Sequence, residues 1–470
     1  MSGESYGSRM NDQDALMWHI ERDPLLRSTM VGVMTFDRTP DRDRFDRALA
    51  NLVRAVPRFR QRAEPDPLAI APPRWEPDPW FDIDFHVAHV TAPGAGTRRD
   101  LLDLAAKLSM DSFDLARPLW RLVIVDGLAD GGAAMILKLH HSVTDAVGFF
   151  RVLGNLVQVG PDDQIPVAEE VAASRRMTPA QRLLDAVGYR ARRAARLGAA
   201  AGRVTALLVR AILESPVGAA RGAGRMLGSA ARMFRPEFTP KSSLMSGRSL
   251  NTRLDTISLP LEELKAVAKV GGGKLNDAFL SGLVGGLQRY HALHGHTPAE
   301  LRVNMPINFR GDQAGSEGGN YFVPARFLLP SATSDPLARV REAGRIVEDV
   351  RSEPALQQFG RLVAALNIFP ALSRPLFGAI LKSVDFNASN VPGPPFRLYC
   401  AGAEIQEMFP ATPLAGAAVS VSLLSYDGSV HLTINTDRAA VPDVERLVAC
   451  IEASFSELLA CVPAQTLLEA

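Results

Sequence analysis

Cysteine is scarce: Cys400, Cys450 and Cys461 form an odd, scattered trio without CxxC spacing in a chain of 470 residues. That excludes a disulfide framework, and the thiols are expected to be reduced core residues, two of them within the apolar helical pattern that closes the chain. No run approaches the roughly 18 uninterrupted apolar residues of a membrane span. The N-terminus MSGESYGSRMNDQDALMWHIE lacks the basic-then-apolar layout of a secretory leader, so a cytoplasmic location is expected. A formal net charge of +1 provides no general footprint for nucleic acid. There is no G-x-S-x-G elbow to present a serine nucleophile and no helical i, i+4 histidine pair to hold catalytic zinc, so neither metal nor cofactor is expected.

What is present begins with length. A chain of this size exceeds what one core usually serves, and two lobes of roughly 150 to 200 residues with a cleft between them are expected. The first lobe spans residues 1–170, with a helix over Asp12–Glu21, a strand over Met30–Phe36 and a helix over Asp43–Val56. Its clearest stretch is LWRLVIVDG followed by AAMILKLHH, two strand-like runs joined at Leu128-Ala129-Asp130-Gly131-Gly132 as a hairpin. The hairpin delivers His140 and His141 to a strand end.

Composition then shifts. Between Val171 and Glu237 lie thirteen arginines, no lysine and internally only Asp185 and Glu214 as acids. Apolar residues at helical spacing, such as Leu207, Leu208 and Ile212, alternate with the arginines, which describes a basic amphipathic helical module over 171–246. Pro179, Pro216 and Pro236 are expected to punctuate it. It is either a solvated bridge between the lobes or a segment lying on a membrane or lipid-droplet surface with arginines toward anionic headgroups. Nucleic acid is not the expected partner, because only Tyr189 and Phe234 interleave the arginines. The second lobe, 247–470, combines helices over Leu261–Lys269, Asn276–His291 and Val441–Cys461 with strands over Arg253–Leu259, Leu301–Met305, Val323–Leu329, Val419–Leu424 and Val430–Asn435.

The chemistry is concentrated in His140-His141-Ser142-Val143-Thr144-Asp145-Ala146, between a strand pattern and a helix pattern. Adjacent strand residues point to opposite faces, so one histidine of the pair looks into a cleft while the other faces packing. An alcohol is a poor nucleophile until a base accepts its proton, and imidazole titrates near working pH. Asp145, four residues beyond His141, can tie the turn by capping or ion pairing. The plain alternative is a pair of satisfied polar histidines beside an N-cap, since HxxxD alone is a permissive pattern.

Other segments accompany the histidines: Pro118-Leu119-Trp120 upstream, Asn276-Asp277 opening a later helix, Gly319-Asn320, the run Ser389-Asn390-Val391-Pro392-Gly393-Pro394, and Ser425-Tyr426-Asp427-Gly428 followed by Asp437 and Val441-Pro442-Asp443. In this order, from about residue 10 to residue 460, they resemble the bacterial wax ester synthase/diacylglycerol acyltransferase family. That family falls within the HHxxxD superfamily of carnitine and chloramphenicol acyltransferases and peptide-synthetase condensation domains. The resemblance implies an α/β (α+β) fold of two chloramphenicol-acetyltransferase-like lobes, with mixed sheets flanked by helices and a channel between them. It further implies His141 as general base, acyl-CoA as co-substrate and a lipid alcohol as acceptor. One departure is Ala146, where the family motif ends in glycine.

The supporting residues keep two readings each. Trp120 either walls the acyl channel or fills the core. Asn276 and Asp277 suit a helix cap; the resemblance adds Asn276 as a site donor and leaves Asp277 structural. Arg310 either pairs with Asp145 across the lobes or is solvated, and Asn320 and Asn390 are placed near the channel by resemblance alone. The expected product is triacylglycerol or wax ester plus CoA, without an acyl-enzyme. The alternatives are a transferase of specialised metabolism using a carrier-protein thioester, and a non-catalytic lipid-surface protein.

Overall fold

Helix α1 (Asp12–Ile20) starts where the Asn11 side chain accepts from the Asp14 N–H, and strand β1 (Thr29–Phe36) follows. The computed structural model describes residues 7–144, 152–165, 167, 170–171, 174–233, 237–308, 322–357 and 370–462. Helix α2 (Arg42–Ala55) is capped by Asp41 and buries Phe45, Leu49 and Leu52. A small antiparallel pair, β2 (Gln61–Glu64) and β3 (Arg74–Pro77), precedes β4 (Val87–Thr91) and α3 (Arg98–Met110), which opens on a Thr97/Asp100 capping box. Next comes the expected hairpin, β5 (Trp120–Asp126) and β6 (Ala133–His140). Gly131 in its connection has φ 82°, a conformation a side chain would strain.

All eight residues of β6 are buried, because both faces of its sheet are covered. Ala134 and Ile136 pack with Val31, Val33 and the α3 residues Leu101 and Ala105. Met135, Leu137 and Leu139 pack with Phe45, Leu49 and Leu52 of α2. A strand buried on both sides is rigid, and it ends at His140.

The arginine-rich module is two helices, α4 (Pro179–Glu214) and α5 (Pro216–Met233). Pro179 occupies the first turn, behind a Thr178/Gln181 capping box, and Pro216 opens the second helix, positions where the missing N–H costs nothing. Pro236 lies outside the described residues. The module bridges the lobes. At one end Arg182 pairs with Glu64 (2.7 Å) and Asp185 with Arg74 (2.6 Å), while at the other Arg232 pairs with Glu353 (2.8 Å).

The remaining strands and longer helices are β7 (Thr252–Pro260), α6 (Leu261–Val270), α7 (Leu275–Leu293), β8 (Glu300–Asn308), β9 (Phe322–Pro330), α8 (Pro336–Arg351), α9 (Pro370–Lys382), β10 (Phe386–Val391), β11 (Tyr399–Cys400), β12 (Ala403–Ala411), β13 (Val419–Tyr426), β14 (Ser429–Asp437) and α10 (Val444–Leu459). The second sheet runs β7-β14-β13-β10-β8-β9, with β10 parallel to both neighbours. Helix α7 is buried on nearly every side. Gly282 and Gly286 let it touch α10, since a Cβ there would sit 2.3 Å from the Phe455 ring and 2.6 Å from Ile451 Cα.

Strands β11 and β12 do not join that sheet. They complete the first one, in the order β11-β12-β1-β6-β5-β4, where β12 pairs antiparallel with β1 from Val31↔Ala411 to Phe36↔Ile405. Residues 399–411 thus belong to the first sheet, although they lie within the sequence span assigned to the second lobe. The Tyr426 hydroxyl anchors this crossover by accepting from Leu398 N (2.9 Å) and donating to Ile405 O (2.9 Å). The mixed two-lobed α/β architecture is the expected one. Cys400 and Cys450 are buried and Cys461 half-buried, all as free thiols, and burial pushes the Cys400 thiol up to about 12.

Candidate active site

The end of β6 is pinned from both sides. His140 N donates to Leu119 O (3.0 Å), so the Pro118-Leu119-Trp120 segment holds the first histidine's backbone. His141 N donates to Ser28 O (2.9 Å), just before β1. Two strands thus fix consecutive peptide units, and the two side chains part. His140 is fully buried, whereas His141 is half-buried in the turn that follows. The sequence requires that one of them face packing, and that one is His140.

His140 is also locked by its ring. Nδ1 accepts from Ser142 N (3.0 Å) and contacts Ser142 Oγ (2.6 Å), which assigns the ring proton to Nε2. Nε2 lies 3.0 Å from Glu21 Oε2, within ion-pair reach but off the straight line of an ideal hydrogen bond. Ser28 N donates to the other Glu21 oxygen. Burial alone would raise the Glu21 carboxyl, but His140 and the Ser28 N–H more than offset it and hold it below its ordinary 4.5. Ser28 therefore donates to Glu21 and accepts from His141, joining the residue after α1 to both histidines. Glu21 is the residue that sequence reasoning missed. Nothing local marks it, since the histidine it holds is distant in the chain.

On the second sheet, Asn276 at the start of α7 and Asn390 on β10 meet: Asn390 Nδ2 donates to Asn276 Oδ1. The Asn390 Oδ1 atom is buried without a hydrogen-bond partner, an open acceptor of the kind a bound donor satisfies. The loop after Asn390 docks on the Ser425-Tyr426-Asp427-Gly428 turn: Gly393 N donates to Ser425 Oγ (3.2 Å) and Asp427 N to Pro394 O (3.3 Å). A Cβ at Gly393 would lie 2.2 Å from Ser425 O, so only glycine fits. Two segments far apart in sequence thus form one unit.

Asp277 caps α7, accepting from Lys274 N (2.7 Å), and burial raises its carboxyl. Trp120 is buried, donates to Phe59 O (2.9 Å) and stacks on His86 at 4.5 Å, an anchored core position whose edge also reaches a cavity beside α3. Asp145, Ala146, Arg310 and Asn320 lie outside the described residues.

Residues 10–279 match the wax ester synthase/diacylglycerol acyltransferase catalytic domain, and residues 318–459 match the corresponding C-terminal domain. A Mycobacterium tuberculosis (strain H37Rv) protein named as a diacylglycerol O-acyltransferase is 36% identical over 474 residues, covering 98% of this chain and 94% of its own. A second from the same strain is 28% identical over 478 residues, covering 97% and 98%. Among solved structures, the wax ester synthase/diacylglycerol acyltransferase from Marinobacter aquaeolei VT8 aligns with a TM-score of 0.62 at 20% identity, covering 96% of this chain and 98% of that one. The first condensation domain of the calcium-dependent antibiotic synthetase aligns at 0.60 with 15% identity, covering 99% of each chain, a likeness of fold alone.

Proposed function

The chain belongs to the wax ester synthase/diacylglycerol acyltransferase family, and from that premise we propose that it transfers a fatty acyl group from acyl-CoA to diacylglycerol or a long-chain alcohol with His141 as general base. The supporting observation is the division of labour at the end of β6, where His140 is sealed and hydrogen-bonded while His141 is held by its backbone and stays half-buried. His141 takes the acceptor's hydroxyl proton as the oxygen attacks the thioester carbonyl. The C–O bond forms, the C–S bond breaks, and the imidazolium returns the proton to the departing thiolate. Ester and free CoA leave, and no acyl-enzyme is formed. The Asn276–Asn390 pair contributes its open buried acceptor to a substrate donor.

The same reading places the protein at a lipid surface through the free middle of the helical module. Leu207 (65%), Leu213 (80%) and Leu227 (71%) are exposed there, interspersed with Arg203, Arg210, Arg221 and Arg225. A second copy would bring like charges together, whereas anionic headgroups complement them. No helix among the described residues is long and apolar enough to cross a membrane.

The test is a substrate panel with purified protein: labelled palmitoyl-CoA with diacylglycerol, with hexadecanol, and a carrier-protein palmitoyl thioester in place of the CoA donor. Ester from either acceptor with the CoA donor supports the proposal. Turnover from the carrier-protein donor alone would assign the chain to specialised metabolism.

A further inference from the structure

A cavity of about 480 Å³ lies between α3 and the β4–β5–β6 side of the first sheet. His141, Asn276 and Asn390 are not among its lining residues. One wall is apolar, formed by Val90, Leu104, Leu108 and Val123, with Trp120 at its edge, while Asp111, Ser112, Asp114 and Arg117 line the other side. What sets it apart is charge. Lys138 and Arg121 stand directly opposite each other on adjacent antiparallel strands and both line the cavity. Like charges so placed repel and destabilise a sheet unless something compensates.

Asp111, which also lines the cavity, opposes this in part, but no carboxylate among the described residues pairs with either cation. Neither Lys138 nor Arg121 has a carboxylate within ion-pair distance, and Asp114, on the same rim, is engaged with Arg117 (3.5 Å). Lys138 is only 5% exposed. Its Nζ donates to the Asp111 carbonyl (2.8 Å) and sits 4.6 Å above the Phe113 ring, contacts that hold an ammonium without neutralising it. Burial pushes Lys138 down to about 8, and Arg121 and Arg27 push the same way against the opposing influence of Asp111. A buried cation beside a second cation on the wall of a partly apolar cavity costs free energy unless an anion visits.

We infer that this cavity binds a single-chain anionic amphiphile, its head group paired with Lys138 and Arg121 and its alkyl chain lying along Val90, Leu104 and Leu108. The volume falls in the lower half of the roughly 300–1,000 Å³ of small-molecule sites, which suits one chain rather than two. A fatty-acid carboxylate, the phosphates of an acyl-CoA and an alkyl phosphate share this chemistry, and affinity separates them.

Calorimetry with dodecanoate, dodecyl phosphate, dodecanoyl-CoA and dodecanol tests the site. At least one anionic probe is expected to bind ten times or more tightly than dodecanol, and the tightest anion identifies the head group. Lys138→Met is expected to weaken that anion at least tenfold and leave dodecanol unchanged, and Leu104→Trp to weaken every probe by filling the cavity. If Lys138→Met fails to fold, the exposed Arg121→Gln replaces it, with an expected loss of about threefold. Dodecanol binding that Leu104→Trp weakens and that is as tight as the anions, or anion binding unaffected by the cavity variants that fold, overturns the inference. The same titration on His141→Ala is expected to give unchanged affinities at the Leu104→Trp-sensitive site, since His141 does not line this cavity.

Discussion

The two sheets hold their site residues by different kinds of bond. On the first, the histidine turn is fixed through its backbone, by Leu119 O on one side and Ser28 O on the other, with Glu21 closing the arrangement from α1. On the second, Asn276 and Asn390 meet through their side-chain amides, and one buried oxygen stays open. Backbone bonds within packed sheets hold a group in one place, which suits a base that must meet a proton at a fixed distance. Amide side chains can exchange partners, which suits recognition. On the proposed function, the first sheet would carry the reaction and the second would position substrate.

Replacing the base breaks that assignment most directly. His141→Ala should lower kcat by roughly 10²–10⁴-fold with an unchanged circular dichroism spectrum; retention of full turnover would remove the first sheet from the chemistry. Glu21→Gln comes next. Loosening the turn should cost up to about 10²-fold in kcat, since small displacements of a reacting group are expensive, while His141 itself is intact. This variant also carries a pH signature. The folded Glu21 carboxyl lies below its ordinary 4.5, so its stabilisation is complete above that pH and is lost as pH falls through the lowered folded value. Thermal melts of the wild type should show that acid loss, and Glu21→Gln should lack its share of it, a difference a merely space-filling residue would not produce.

Asn390→Ala sharpens the other half of the comparison. A positioning role predicts an effect of about tenfold, carried by KM rather than kcat; an effect of the size seen at His141, and in kcat, would place the asparagine in the reaction. The smallest effect concerns the helices that join the sheets. Leu207→Glu with Leu213→Glu should reduce flotation with anionic vesicles several-fold and leave turnover on detergent-dispersed substrate unchanged, since exposed substitutions usually alter stability by only about 0.5 kcal/mol. Undiminished flotation of the unmodified protein on neutral vesicles would point to the apolar row alone, without the arginines.

Much of the frame is legible in the residues. The hairpin ending at His140 follows from two β-rich runs and a Gly-Gly connection, and α7 from its apolar spacing at Phe279, Leu283 and Leu287. The basic module announces itself by composition, and its prolines by their place in the helices. The pairing of Lys138 with Arg121 is less visible, because each reads as an ordinary strand-end cation until register sets them opposite. Trp120 keeps two readings in sequence; in the fold its indole N–H is committed to Phe59 O and its face to His86.

Local spacing and residue chemistry were enough to set helices, strands, the histidine turn and the family signatures, because each depends on neighbours within a few positions. Only tertiary structure decided that residues 399–411 cross into the first sheet, that Glu21 reaches His140, and that Asn276 finds Asn390. Those contacts join segments far apart along the chain. They depend on which strands share an edge and which faces are covered, a competition among many distant partners that no short window of sequence contains.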